Sequence, residues 1–140
     1  MDIKMKIKDG LILPGIGIGE IRLNITKNQL IDIIGFDFKE RKRVNDSVIE
    51  IENAKFWIGE DNRLEQIGVG KDFKGKYDKY IGIGSTLEDV KKYIGNYISV
   101  YDTYELENVR GICFELEDVD NWNELTAPIE YIYVFQQKED

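Results

Sequence analysis

One pattern of fifteen residues occurs twice in this chain, sixty residues apart, and it constrains the fold more than any other feature. The copy at 21–35 reads IRLNITKNQLIDIIG and the copy at 81–95 reads IGIGSTLEDVKKYIG. Thr26 and Thr86 each stand three residues before a polar side chain, the spacing of a helix capping box. Both copies end in a glycine, which commonly ends a helix. The pattern therefore predicts two short helices.

Both predicted helices need a second layer to pack on. Between the threonine and the glycine, apolar residues recur at spacings of three and four, which gives each helix a single apolar stripe. These residues are Leu30, Ile33 and Ile34 in the first copy, and Leu87, Val90 and Ile94 in the second. Because helices of about nine residues are marginally stable alone in water, the stripes indicate packing against a sheet.

Three runs with strand-like alternation follow each predicted helix. They are residues 48–52, 54–58 and 64–69 in the first half, and 99–104, 111–117 and 129–135 in the second. We therefore predict an α+β fold in a single domain, 1–140, built of two tandem α-β-β-β repeats at about 15–70 and 80–136. The strands would form an antiparallel sheet with the short helices on one face. Ile3, Met5 and Ile7 alternate with lysines and predict an additional N-terminal strand.

Residue composition argues against most enzymes and against a membrane protein. The chain has no histidine and a single cysteine, Cys113, which excludes an internal disulfide and a zinc site of several cysteines. We predict a non-enzymatic protein without cofactor or metal. No apolar run approaches the ~18 residues of a membrane helix, and the first ten residues alternate charge with hydrophobe. We expect a cytoplasmic protein.

Negative charge is concentrated in the last third of the chain. The net charge is −8, and residues 98–140 contain eleven acidic residues against two basic ones. The remaining 97 residues are almost balanced. Such a region would repel nucleic acid and attract a cationic protein.

Two glycine-rich or basic segments leave alternatives open. Gly15, Gly17 and Gly19 have the spacing G-x-G-x-G, in which the third glycine is not at the distance that a dinucleotide-binding motif requires. No Lys-Ser/Thr follows, as it would in a phosphate loop. A turn with close backbone approach is therefore favoured over phosphate binding. The basic cluster, which comprises Lys39, Arg41, Lys42 and Arg43, favours a solvated loop or strand edge over a phosphate contact.

The acidic region also permits chemical interpretations that its spacing disfavours. LEDVDNWNE begins like a calcium loop but lacks its glycine and its final glutamate. Paired carboxylates could hydrolyse a glycosidic bond, yet no single pair stands out among so many acids. Without histidine to activate it, Cys113 is interpreted as a packing or surface thiol.

Alternation in the last two strands predicts an open sheet face. If Ile132 and Val134 point inward, the last strand turns Ile129, Tyr131, Tyr133 and Phe135 outward, and the strand before it turns out Cys113, Glu115 and Glu117. A register slip of one residue would exchange the two faces and bury the tyrosines. The partner-binding residues we predict are Tyr101, Asp102, Tyr104, Glu105, Glu115, Glu117, Asp118, Asp120, Trp122, Tyr131 and Tyr133.

The first copy of the helix pattern reads I-x-L-x-x-T-x-x-x-L-x-x-I-I-G. This pattern, followed by three strands, resembles the unit of the beta-lactamase inhibitor protein and of small outer-membrane assembly lipoproteins. PGIGIGEIRLNITKNQLIDIIG is similar to cytoplasmic bacterial proteins encoded as immunity partners of secreted toxins. The resemblance implies a protein-binding function through the open face of an antiparallel sheet. The exported members carry disulfides or a lipid-anchored cysteine, and the intracellular form is favoured here.

These observations lead to one functional expectation and one alternative. The first is a cytoplasmic inhibitor that neutralises a cationic toxin effector, such as a nuclease, by occluding its active site with acidic side chains and tyrosine anchors. The alternative is a structural adaptor or assembly module that uses the same units to hold subunits together.

Overall fold

The computed structural model describes residues 6–137 of the chain. In that range lie two short helices, α1 (Lys27–Ile34) and α2 (Leu87–Tyr93). The strands, in chain order, are β1 (Ile12–Leu13), β2 (Gly17–Ile18), β3 (Ile21–Arg22), β4 (Lys39–Lys42), β5 (Asp46–Ile51), β6 (Ala54–Gly59), β7 (Leu64–Val69), β8 (Tyr97–Val100), β9 (Thr103–Leu106), β10 (Ile112–Leu116) and β11 (Ile129–Phe135). The predicted α+β class is confirmed.

Both helices begin where the capping boxes predict. The Thr26 hydroxyl oxygen accepts a hydrogen bond from the Gln29 N–H at 3.2 Å, and the Gln29 side-chain oxygen accepts one from the Thr26 N–H at 2.8 Å. Thr86 and Asp89 form the same reciprocal pair at 3.2 and 3.0 Å. Gly35 follows α1 with a φ of +84°, in the left-handed region that favours glycine. Local sequence alone therefore sets the helix starts.

Four strands follow each helix, whereas the sequence predicted three. The edge strand β4 contains three residues of the basic cluster together with Glu40, and all four are exposed, in agreement with the favoured interpretation of a solvated loop or strand edge. The predicted strand at 99–104 is instead a hairpin of β8 and β9 that turns at Tyr101 and Asp102. Tyr101 adopts a φ of +55°, which is uncommon for a non-glycine residue. The turn therefore lacks the glycine signal that would have revealed it.

The strands form two antiparallel sheets. The small sheet has the order β1-β2-β3, and the large sheet has the order β4-β5-β6-β7-β11-β10-β9-β8. Gly17 allows the close backbone approach that the sequence predicted, because a Cβ at this position would meet the Ile21 carbonyl oxygen. In the large sheet, β7 pairs with β11, so the strands after α1 and those after α2 join at the middle.

The helices and the small sheet cover one face of the large sheet, which we call the inner face. Its fully buried side chains come from successive strands and include Phe56, Ile67 and Val134, which are direct cross-strand neighbours. They form one apolar cluster with Leu30 of α1 and Leu87 of α2. Burying this apolar surface provides the stability that the short helices lack alone.

The segment before β1 pairs with the core through a side chain. The Asn53 amide, 4% exposed, accepts a hydrogen bond from the Ile7 N–H at 3.0 Å and donates one to the Ile7 carbonyl at 2.8 Å. Ile7 therefore obtains strand-like pairing without belonging to a strand. Of the predicted N-terminal strand, Ile3 and Met5 lie outside the described residues. Neither helix within 6–137 has the length and apolarity needed to cross a membrane.

Candidate functional site

The face of the large sheet that points away from the helices, here called the outer face, carries a mixed polar and aromatic surface. One cross-strand row runs through all of its strands: Lys39, Glu50, Lys55, Gly68, Tyr133, Cys113, Glu105 and Ile98. Most side chains of this row are partly or fully exposed, in contrast to the sealed inner face. The basic residues of this row lie on β4 and β6 with Glu50 between them, and β9 contributes Glu105, so the positive charge of the row is confined to its β4–β6 half.

Aromatic rings occupy the centre of the outer face. The Tyr133 ring lies 5.9 Å from that of Trp57 in an edge-on arrangement and 5.9 Å from that of Tyr131 in a stacked one. On the neighbouring strand, Gly68 and Gly70 leave room for the tyrosines: an added Cβ would lie 2.7 Å from the Tyr133 ring and 2.9 Å from the Tyr131 ring. The rings therefore lie against the glycine backbone, which restricts their movement.

A carboxylate holds the central tyrosine in place. The Tyr133 hydroxyl donates a hydrogen bond to Glu115 Oε1 at 3.2 Å. Burial, followed by the charge of Glu115, raises the pKa of the Tyr133 phenol. Burial and nearby carboxylates, Glu130 first, also raise the pKa of Tyr131. Both phenols are thus neutral at physiological pH, and the Tyr133 hydroxyl already donates its proton to Glu115.

Cys113 lies beside these tyrosines but is poorly suited to nucleophilic chemistry. Burial, and then the charge of Glu105, raises the pKa of the Cys113 thiol to about 12. The thiol is protonated at neutral pH, and only the thiolate is a strong nucleophile. Among the described residues, 6–137, no group of three or more Cys, Asp or Glu side chains is arranged to hold a metal ion.

A cleft of about 670 Å³ opens at one end of the outer face. Its floor includes Trp57, Gln66 and Phe135, which are cross-strand neighbours on β6, β7 and β11. The connection from β9 to β10, residues 107–111, forms one wall. The carboxylates on its lining are those of Asp46, Glu65, Glu105 and Glu107, and the one basic residue of the lining is Arg110. This combination suits a ligand that is both cationic and partly apolar.

Four of the predicted partner-binding residues come together on the outer face. Tyr131 and Tyr133 alternate with the buried Ile132 and Val134 on β11, as the sequence predicted. Glu115 lies directly across from Tyr131 on β10, and Glu105 lies across from Cys113 on β9.

Tyr104 is a correction, because it lies on the inner face. It is 9% exposed, and its ring packs edge-on against that of Tyr97 at a centroid distance of 5.8 Å. The unpredicted turn of the β8–β9 hairpin sets the alternation of β9, which points Glu105 outward and Tyr104 inward. Burial, followed by a hydrogen bond with Glu124, raises the pKa of the Tyr104 phenol.

Ile129 is a second correction. It was predicted to point outward with Tyr131, but it is 1% exposed and belongs to the core cluster. The pairing between β10 and β11 shifts at Glu115 and Leu116, and Glu130 is skipped. Such a bulge reverses the alternation of the residues beyond it, so Ile129 returns to the interior.

The other predicted residues lie beyond the strand ends. Tyr101 and Asp102 are exposed at the tip of the β8–β9 hairpin. The connection between β10 and β11 contains the exposed residues Glu117, Asp118, Asp120 and Trp122. This connection is tied to α2, because the Leu125 carbonyl accepts a hydrogen bond from the Glu88 N–H at 3.2 Å. None of these residues lies within a strand of the outer face.

Sequence reasoning omitted Trp57, Glu65 and Phe135 from the predicted site. The alternation of β6 already placed Trp57 opposite the apolar side chains. What the sequence could not indicate is the pairing of β7 with β11, which brings Phe135 to the same cleft as Trp57 and Glu65 although it is distant from both in the chain.

Comparison with known proteins shows a fold relationship and no function. No protein-family model matches the chain, and no curated protein matches its sequence. Among solved structures, the chain is similar to that of the uncharacterized protein YfeY from Escherichia coli, with 17% sequence identity and a TM-score of 0.62. The match covers 91% of this chain and 99% of YfeY. At this identity the similarity indicates a shared fold alone.

Proposed function

We propose that this chain is a cytoplasmic immunity protein that neutralises a cationic toxin effector, such as a nuclease, by covering its active site with the outer face. The observation that carries the proposal is the partly exposed strip of Trp57, Tyr131 and Tyr133 beside the carboxylates of Glu105 and Glu115. Aromatic residues anchor interfaces at low entropic cost, and carboxylates pair with the basic side chains with which a nuclease binds phosphates.

The order of the aromatic strip supports this role. Tyr133 is restrained by the Glu115 hydrogen bond at 3.2 Å and by contact with the Gly68 backbone. Lys55 Nζ lies 5.5 Å above the Tyr131 ring and covers part of it. Side chains that are already ordered lose little conformational entropy when a partner binds, so the strip is preorganised for an interface.

The polarity of the outer face also predicts how a cationic partner would be oriented. Lys39 and Arg41 project from β4 on this face, whereas Glu105 and Glu115 project from β9 and β10. A basic surface would be repelled at the β4 edge and attracted toward β9 and β10. The partner would therefore sit across β11, β10 and β9.

A growth-rescue assay tests the proposal. A basic effector domain encoded beside this chain is expressed in bacteria with or without it, and growth is measured. We expect the chain to restore growth, and we expect the double variant Glu105→Lys with Glu115→Lys to lose that ability. Asp32→Lys, an exposed position on α1, is the matched control and should rescue fully. Equal rescue by all three chains would contradict the proposed face.

We also infer that the outer face arose from two tandem copies of one unit. Each helix begins at a threonine capping box and is followed by four antiparallel strands. In the large sheet, the four strands after α1 run from the edge to the centre in chain order, β4-β5-β6-β7. The four strands after α2 run from the opposite edge to the centre in chain order, β8-β9-β10-β11. Superposition of 26–69 on 86–135 tests this inference, which requires equivalent strands to overlay.

A second candidate function, a structural adaptor, is favoured by the edge strand β8. The opposite edge, β4, consists of four charged residues, which is a common protection against unwanted strand pairing. Strand β8, Tyr97–Val100, has no charged residue. An adaptor could add a strand there. Light scattering of the purified chain separates the two functions, because a constitutive oligomer would favour the adaptor and a monomer the inhibitor.

A further inference from the structure

The cleft at the end of the outer face shares Trp57 with the aromatic strip and adds the carboxylates of Glu65 and Glu107. Three of the carboxylates that line it have no positively charged partner: in residues 6–137, no ion pair involves Glu65, Glu105 or Glu107. The fourth acid, Asp46, is in an ion pair, because Arg43 Nε lies 3.0 Å from its Oδ1. The lining therefore has an excess of negative charge even when Arg110 is counted.

The apolar part of the lining combines two aromatic side chains, Trp57 and Phe135, with the aliphatic residues Ile98, Leu106 and Val109. Trp57 and Phe135 are both partly exposed and stand on the outer side of β6 and β11. A guanidinium group stacks on aromatic faces and also donates forked hydrogen bonds to carboxylates. An ammonium group is more strongly hydrated and lacks the planar stacking surface. The cleft is thus better matched to arginine than to lysine.

The wall formed by residues 107–111 is held at both ends. The Glu107 N–H donates a hydrogen bond to the Asn96 carbonyl at 2.9 Å. The Gly111 carbonyl accepts one from the Gly15 N–H and one from the Phe135 N–H, both at 3.1 Å. Val109, between these ends, packs against the core. The cleft therefore has a defined shape before any ligand enters, which lowers the entropic cost of binding.

From this geometry we propose that the cleft is the receptor site for an arginine-bearing loop of the partner. The guanidinium stacks on Trp57 or Phe135 and pairs with one lining carboxylate, Glu65 or Glu105, and the loop backbone fills the rest of the volume. A volume of about 670 Å³ exceeds what one side chain occupies, so several residues of the loop enter. This inference rests on the proposed function, since it names the part of the cationic partner that the outer face recognises.

The test uses the protein alone and a defined probe. The peptide acetyl-Gly-Arg-Gly-amide is titrated into ¹⁵N-labelled protein, and the two tryptophan indole N–H signals are followed by NMR. We expect saturable shifts for Trp57 and none for Trp122. The citrulline peptide, which is nearly isosteric but uncharged, should leave both signals unchanged, and the lysine peptide should bind more weakly than the arginine one.

Variants locate the binding. Glu65→Gln combined with Glu105→Gln should weaken arginine-peptide affinity about tenfold, because the change removes two of the carboxylates that attract the guanidinium. Asp32→Asn, on α1, should leave affinity unchanged. The single variant Glu107→Gln, at an exposed loop position, gives a smaller decrease and covers the case in which the double variant does not fold.

Three results would overturn the inference: no Trp57 shift at saturating peptide, equal shifts with citrulline, or unchanged affinity in both carboxylate variants. These results are distinct from failure of the proposed function. A chain that rescues growth yet binds no arginine peptide retains the function and loses the cleft inference. A chain that binds the peptide in the cleft but gives no rescue retains an arginine site and loses the immunity role.

Discussion

Replacement of Gly68 by alanine should reveal whether the Tyr133 ring is fixed against the sheet. The new Cβ would lie 2.7 Å from Tyr133 Cε1, whereas carbon atoms in contact lie about 3.5–4.0 Å apart. The ring must therefore withdraw by about 1 Å. Its hydroxyl, 3.2 Å from Glu115, would then be too far away for a hydrogen bond.

The effect of Gly68→Ala on the free energy of unfolding is the sum of three contributions. Loss of the hydrogen bond costs about 0.5–1.5 kcal/mol, and weaker contact with Trp57 and Tyr131 costs about 0.5–1 kcal/mol. Alanine regains about 0.5–1 kcal/mol over glycine inside a strand. Gly68→Ala should thus destabilise the protein by about 1 kcal/mol. In a Tyr133→Ala background nothing obstructs the new Cβ, and the same change should stabilise by about 0.5–1 kcal/mol.

Urea unfolding of the four proteins in this double-mutant cycle, followed by tryptophan fluorescence, measures the coupling. We expect a coupling free energy of about 1.5–2 kcal/mol between Gly68 and Tyr133. A coupling near zero, with Gly68→Ala having the same effect in both backgrounds, would refute the idea that the ring is held against the strand. The preorganised aromatic strip would then lose its physical basis.

Three further predictions concern the free energy of unfolding. Thr26→Ala and Thr86→Ala should each cost about 1 kcal/mol in urea unfolding, since each removes one capping box; no loss at either site would contradict the cap assignments. Burial and the Glu124 hydrogen bond raise the pKa of Tyr97 to about 12. The contribution of Tyr97 to the free energy of unfolding should therefore be complete below about pH 10 and decrease as the pH rises toward 12. Tyr97→Phe should make this decrease smaller. Truncation of the fully buried Phe114 to alanine should cost about 3–5 kcal/mol, but truncation of Phe36, 85% exposed, less than about 0.5 kcal/mol.

The features that sequence predicted well are those set by local chemistry. Thr26 and Thr86 begin helices because their capping partners lie only three residues away. Tyr131 and Tyr133 point outward because the two-residue period of a strand separates them from the buried Ile132. Such signals need no knowledge of distant residues.

The features that the sequence did not predict depend on irregular turns and bulges, or on the pairing of strands that are distant in the chain. Tyr104 was misplaced because the turn at Tyr101 has no glycine or proline to announce it. Ile129 was misplaced because a bulge, which leaves no trace in the apolar pattern, reverses its side. Strand β4 was not counted among the three predicted strands, although a strand edge was one favoured interpretation of the basic cluster, because its four exposed residues show no alternation. The cleft was missed because it needs β7 to pair with β11.

The association rate of the chain with a basic effector domain, measured by stopped flow across ionic strength, tests the central claim most directly. Electrostatic steering by Glu105 and Glu115 predicts a rate that falls steeply as the screening length shrinks from about 30 Å at 0.01 M salt to about 3 Å at 1 M. The charge-reversed variant Glu105→Lys with Glu115→Lys should associate far more slowly at low salt, and Asp32→Lys should not. A rate that is flat with salt and equal in all three chains would contradict the account.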